Sequence, residues 1–368
     1  MLVSDTVKIA YYISSHGYGH AARQQAIIKH LARLGVMVFV RTATPEKFFT
    51  SAHNYHQQRY DIGMIQQDAL HFDIPASLQW MSDFLAQQDS IIQQEIAFIQ
   101  HHNIELIVSD MPAVACEIAT RVGIPSIVLT HFTWDWVYEH YTADYPQYQP
   151  VVDTIRAQYQ QTTLMLQMQL PIPHDFKHFP TVEPIPLIYN AVSQSRADIC
   201  AEFDIPSELP IVLLSMGGHA WGDSNIRALK AFQDAIFLVM PSAWEQIKDS
   251  AKNFRQVPMN YHDYHNLIAH ADVVVGKAGG STVAEVIGHR SPMIYTLPDT
   301  KQWRESELLK TTLTDYASAE YVPMHEFMAG AWVDSLPTFL NKTHHWREIE
   351  MKGAEKVAQK FIEFLGLT

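Results

Sequence analysis

Strand, glycine-rich loop and helix follow one another at the start of each half of this 368-residue chain, and that repeated order restricts the fold more than any other feature. Val7, Ile9, Tyr11 and Ile13 alternate as a strand, the loop from Ser14 to His20 follows, and a helix from about Ala21 carries Ile27, Leu31 and Leu34 on one face. The second half opens with Pro210 to Ser215, the loop Met216-Gly217-Gly218, and a helix after Asp223. Strand and helix patterns alternate between and beyond these points, which is the signature of parallel sheets joined by helical crossovers. The expected class is α/β, with two Rossmann-like, doubly wound domains facing a cleft. A rise in proline from Pro171 to Pro186 marks a linker. Expected domains are therefore 1–180 and 181–344, with a closing helix over 345–368 able to cross back to the first.

Within the first half, Thr44-Pro45 reads as the start of a further helix, and a long amphipathic helix runs from about Ser77 to His101. No run approaches the roughly 18 apolar residues of a membrane-spanning helix. The opening residues lack a signal-peptide pattern, and two cysteines, Cys116 and Cys200, are too few for a disulfide framework. The expected compartment is the cytoplasm. A net charge of −13 opposes binding to nucleic acid or to anionic lipid.

Three loops carry the chemistry. Gly276-Lys277-Ala278-Gly279-Gly280-Ser281-Thr282 leaves a buried strand and enters a helix. Glycines let a ligand approach the backbone, amides at a helix N-terminus favour phosphate, and Glu285, one turn in, can accept from a ribose diol. A nucleotide-diphosphate sugar suits this pattern, although Ser281 acting only as a helix cap explains the spacing equally well. The loop Gly217-Gly218-His219 follows a strand of its own and offers amides to the same diphosphate. Its extension departs from the nucleoside-triphosphate loop, because Asp223 stands where that motif needs lysine.

The third loop, Gly17-Tyr18-Gly19-His20-Ala21-Ala22, fits the permissive dinucleotide fingerprint, but Arg41 ends the next strand where an acid should hold the ribose, which leaves NADP at best. His20, at a helix start, suits a neutral base, and a role in capping that helix or contacting a phosphate explains it equally well. Asp110, at a strand's C-terminal end, is a rival base, or else a cap for the helix after Pro112. No Asp-x-Asp occurs in the chain, and His16 and His20 are separated by glycines, so no metal site is expected.

SHGYGHAARQ, LLSMGGHAWGD and GKAGGSTVAE, in that order, resemble the loops of GT-B glycosyltransferases, in particular family-28-like members such as the peptidoglycan UDP-N-acetylglucosamine transferase. The stretches VSDMPAVACEIATRVGIPSIVLTHFTWDWVYEHY and VVGKAGGSTVAEVIGHRSPMIYTLPDTKQWRESELL are similar to the N-terminal, transferase-like half of L-arabinokinases. The resemblance implies that Gly279, Gly280, Ser281 and Thr282 hold the donor diphosphate, met by Gly217, Gly218 and His219, and that Glu285 holds the ribose. It places Arg304 and Glu305 near the donor sugar, and Gly17, Gly19 and His20 on the acceptor side. The implied activity is a metal-independent, inverting hexosyl or N-acetylhexosaminyl transferase that uses a nucleotide sugar, UDP-linked by the likeness, as substrate rather than cofactor. A UDP-sugar 2-epimerase of the same fold and a non-catalytic nucleotide-sugar binder are the alternatives. The acceptor-side loops of the peptidoglycan enzyme are not recognisable here, and no apolar patch or basic rim points to a lipid-linked acceptor.

Overall fold

The computed structural model describes residues 7–168, 176–217, 229, 232–244, 252–258 and 261–366. Along the chain run β1 (Lys8–Ile13), α1 (Tyr18–Arg33), β2 (Met37–Thr42), β3 (Asn54–Gln57), β4 (Ile65–Gln66), β5 (Phe72–Asp73), α2 (Ile74–His102), β6 (Leu106–Asp110), α3 (Val114–Val122), β7 (Ser126–Thr130), α4 (Trp134–Glu139), α5 (Gln149–Tyr159), β8 (Leu164–Met168) and β9 (Val182–Ile185). Then come α6 (Arg196–Glu202), β10 (Ile211–Ser215), β11 (Ile236–Val239), α7 (Pro241–Trp244), β12 (Phe254–Gln256), α8 (Tyr264–His270), β13 (Val273–Lys277), α9 (Gly280–His289), β14 (Met293–Thr296), α10 (Glu305–Tyr316), β15 (Ala319–Tyr321), α11 (Met324–Ala329), α12 (Trp332–Asn341) and α13 (Gly353–Phe364). Contacts divide the chain into two units. One holds Met1–Ile65, Asp73–Tyr189 and Glu350–Thr368, the other Gln66–Phe72 and Asn190–Ile349.

The first unit is a seven-stranded parallel sheet in the order β3-β2-β1-β6-β7-β8-β9. Period-two alternation explains its two cores. Ile9, Tyr11 and Ile13 face a cluster with Ile27 and Leu31 of α1 and Val357 and Phe361 of α13, whereas Ala10 and Tyr12 face Ile99 of α2 and Ile118 of α3. The closing helix thus belongs to the first unit's core, although it begins at Gly353 and not near 345. The helix expected at Thr44-Pro45 is a single 3-10 turn, Glu46–Phe48. Asp73 caps α2 by accepting from the Ala76 amide, and Pro75 falls in the first turn, where its missing N–H is harmless.

The second unit is a six-stranded parallel sheet, β12-β11-β10-β13-β14-β15. Ala69 and Leu70, from the turn joining β4 to β5, are buried in its core beside Val212, Val275 and Ile294. Strand order reverses direction at β1/β6 in the first sheet and at β10/β13 in the second. The loops leaving the carboxyl ends of strands at such switch points are where ligands collect in sheets of this kind.

Candidate functional site

The switch point of the first unit gathers an unusual set of buried polar groups. Positions 20, 23, 24, 27 and 31 of α1 share one helical face. Ile27 and Leu31 pack into the core as that spacing requires, but His20, Arg23 and Gln24 are buried too. They converge on Asp110, which is fully buried at the end of β6, paired in register with Ile13 of β1. His20 Nδ1 lies 3.1 Å from Asp110 Oδ2, Arg23 donates to both carboxylate oxygens at 2.9 Å, and Gln24 donates to Oδ2 at 2.7 Å. Tyr11 holds Gln24 from behind, its hydroxyl donating to Oε1 at 2.6 Å. Burial pushes the Asp110 carboxyl up, but Arg23, His20 and Gln24 outweigh it and hold it at about 2. Asp110 does not cap the next helix; Ala113 stands at that position with no side-chain cap.

Gly17 forms the α1 N-cap with φ 78°, a left-handed conformation that a side chain would strain, and Gly19 lies in the first turn. A second carboxylate, Asp61, is 2% exposed nearby. It accepts from Trp134 Nε1 at 2.8 Å. Burial raises its carboxyl above the ordinary range, opposed by the hydrogen bonds of Trp134 and Ser14 and by His20. The His16 ring packs edge-on to Trp134 and accepts from the Met64 amide. Arg41, which kept an NADP reading open, is turned away from any ligand. The residue is 4% exposed and its guanidinium is locked to Glu95 of α2.

The switch point of the second unit carries the glycine loops. Gly276 ends a buried stretch of β13 at φ 155°, and an added Cβ there falls 1.6 Å from the Ser215 carbonyl oxygen of β10. Structure demands that glycine. Gly279 differs: its backbone is extended (φ −113°, ψ 158°) and a Cβ meets no atom within 4 Å. Neither conformation nor packing asks for glycine there, so an uncovered peptide edge is what the residue provides. Gly279 is the N-cap of α9 and no side chain caps the helix, so Ser281 and Thr282, both half-buried, leave the first-turn amides uncapped. Gly217 follows β10 at φ 65°, also with open space beyond its Cα. Gly218 and His219 lie outside the described residues.

Glu285 sits one turn into α9 with 8% exposure, and its carboxylate turns to protein partners. Asn190 donates its backbone N–H at 3.1 Å and Nδ2 at 2.8 Å to Oε1, and His289 Nε2 lies 3.1 Å from Oε2. Glu285 therefore fastens Asn190, the residue at which the chain enters the second unit for the second time. Replacing it with alanine removes the acceptor of both Asn190 donors, an expected loss of about 1–3 kcal/mol. Scanning calorimetry without nucleotide should show that unit melting earlier, whereas a role confined to ribose binding leaves the melt unchanged.

Arg304 is the N-cap residue of α10, and Glu305 opens the helix with 4% exposure, accepting from Trp303 Nε1 at 2.9 Å. Trp303 stacks on Phe72 (5.1 Å, 12°), which donates its amide to Gln302 Oε1. Lys277 ends β13 with its ammonium 5.7 Å from the Phe72 ring centre. Burial brings that ammonium down to about 8, against the pull of Glu305 and Asp68. Sequence spacing could have singled out Arg23 and Gln24, polar residues on an otherwise apolar stripe. It carried no signal for Asp61, or for Asn190, 95 residues from its partner. Among the described residues, no three His, Cys, Asp or Glu side chains cluster as a metal site, and no helix is long and apolar enough to cross a membrane.

No protein-family profile matches the chain. It is 27% identical over 343 residues to the L-arabinokinase of Arabidopsis thaliana, covering 89% of this chain but only 31% of that protein, so it spans about a third of the curated relative's length. Among solved structures, the glycotransferase of kitacinnamycin superposes with a TM-score of 0.65 at 14% identity, over 92% of this chain and 91% of that one. A UDP-glucosyltransferase from Polygonum tinctorium gives 0.62 at 13% identity, over 98% and 93%. Two doubly wound parallel sheets, with glycine loops at both switch points and these structural neighbours, make the fold of this chain that of the GT-B glycosyltransferases.

Proposed function

We propose that this chain transfers a sugar, of the hexosyl or N-acetylhexosaminyl class, from a nucleotide-diphosphate donor to an acceptor hydroxyl, with inversion. The observation that carries the reading is the buried His20–Asp110 contact at the switch point of the first sheet. An ionised Asp110 accepts from Nδ1–H of His20, which fixes the tautomer and leaves the Nε2 lone pair to take the acceptor's proton as its oxygen attacks the anomeric carbon. Asp110 itself is a poor base, since its charge is already shared among three donors. This assigns the two expected candidates different roles, His20 removing the proton and Asp110 orienting it.

The leaving diphosphate is stabilised by the peptide edge at Gly279 and Gly280 and by the α9 first-turn amides, with the hydroxyls of Ser281 and Thr282 and the Gly217 loop as further donors. Fixed dipoles of this kind neutralise the leaving group without a metal ion. The likeness in fold to the UDP-glucosyltransferase of Polygonum tinctorium supports UDP as the nucleotide. Titration of the chain with UDP in EDTA tests the donor reading: saturable heat is expected, and its absence removes the donor site. Incubation with UDP-N-acetylglucosamine and no acceptor should give no manno epimer, whose appearance overturns transfer in favour of epimerisation.

One contact favours a second reading. Arg23 also lies 3.1 Å from His20 Nδ1. If Arg23 donates there, the proton sits on Nε2, His20 is no base, and the chain is a nucleotide-sugar binder without turnover.

A further inference from the structure

Lys277 is the one charged residue of the Gly276–Thr282 loop, and the donor reading leaves it without a task. It ends β13 two positions before the α9 N-cap, at the second unit's switch point. Its stem is half-buried and its ammonium lies against the Phe72 ring, which is itself stacked on Trp303. Among the described residues no carboxylate comes within ion-pair distance of it. The charged groups that face it are Glu305 at the head of α10 and Asp68 in the turn between β4 and β5. Both have nearer partners, Glu305 in Trp303 Nε1 and Asp68 in His71 and the Leu70 and His71 amides. A partly buried ammonium short of a counter-charge, carried two positions before a helix N-terminus that no side chain caps, is arranged to receive an anion.

We propose that Lys277 is a positioning residue for the donor, pairing its ammonium with the nucleotide's diphosphate. This rests on the donor reading above and deepens it by naming the fixed cation of the site.

The lowered proton affinity of Lys277, near 8, adds a thermodynamic signature. Pairing with a diphosphate favours the charged form, so binding near pH 8 takes up a proton, and UDP affinity falls as pH rises through 8. Calorimetric titration of the full chain with UDP, in two buffers of different ionisation enthalpy at pH 8, reads this uptake directly. About half a proton is expected at that pH. Lys277→Met should abolish the uptake and weaken UDP binding by about tenfold to a hundredfold. Lys277→Arg, permanently charged, should keep most of the affinity without any uptake, which shows that the fold is intact. Uridine, lacking phosphate, should bind parent and Lys277→Met alike, with no uptake by either. Full UDP affinity with unchanged uptake in Lys277→Met overturns the Lys277 assignment alone. Failure of the parent chain to bind UDP at all brings down the donor reading, and this assignment with it.

Discussion

His20→Ala is expected to lower the rate of the proposed sugar transfer by about two to four orders of magnitude, the range general-base removal produces, and to leave UDP affinity unchanged. The separation follows from location: His20 and Asp110 belong to the first unit, whereas the loops assigned to UDP belong to the second. Release of UDP from a UDP-sugar in the presence of acceptor measures the effect, and an alanine variant at full rate ends the assignment of His20 as base. Asp110→Asn is expected to lower kcat with KM retained, because the amide keeps the shape but presents no charge to Nδ1–H. Nitrogen NMR of the His20 ring decides between the two readings without needing a substrate. A protonated Nδ1 supports the base, and a protonated Nε2 supports donation by Arg23 and a chain that only binds.

The Asp110 cluster has a pH consequence of definite sign. Its folded carboxyl sits at about 2, below the ordinary value of 3.8, so the group contributes stability that is complete above about pH 4 and lost as pH falls toward 2. The contribution is roughly 2 kcal/mol, since a pK shift of one corresponds to about 1.36 kcal/mol. Acid titration of thermal stability should show this loss, and it should be missing in Asp110→Asn.

Sequence alone disclosed what is local. Strand, glycine loop and helix at Ser14–His20 and at Gly276–Ser281 are contiguous, and their physical reasons, helix-terminus amides and close backbone approach, act within a few residues. Asp110 could be placed because a strand's carboxyl end is itself a local feature. What stayed hidden depends on partners far along the chain. Phe72 and Gln302 are 230 residues apart, so nothing near Gln66–Phe72 signals that this turn packs into the second unit. Glu285 has the position and chemistry of a ribose ligand in sequence, yet Asn190, 95 residues earlier, takes its carboxylate. Arg41 misled for the same reason: an arginine at a strand end suits a phosphate until the helix carrying Glu95 is folded onto it.

That Arg41–Glu95 pair yields the largest stability effect expected in the molecule. Arg41 is 4% and Glu95 1% exposed. The guanidinium donates to both carboxylate oxygens and lies 3.9 Å from the Phe98 ring centre, while the Tyr12 and Tyr60 hydroxyls donate to the same carboxylate at 2.7 and 2.9 Å. Glu95→Ala leaves a buried cation that cannot deprotonate and two hydroxyls without their acceptor. Stranding a buried charge costs about 3–5 kcal/mol, comparable with the whole stability of many domains. Hydrogen exchange on the intact chain should show the β1 and β2 amides losing protection while those of β10 and β13 keep theirs, because Arg41, Glu95, Tyr12 and Tyr60 all belong to the first unit. The double variant Arg41→Met, Glu95→Leu removes both charges and fills the space with apolar groups, and most of the lost protection should return. If the double variant is as open as the single one, the penalty lies in the lost tyrosine contacts and not in the stranded charge.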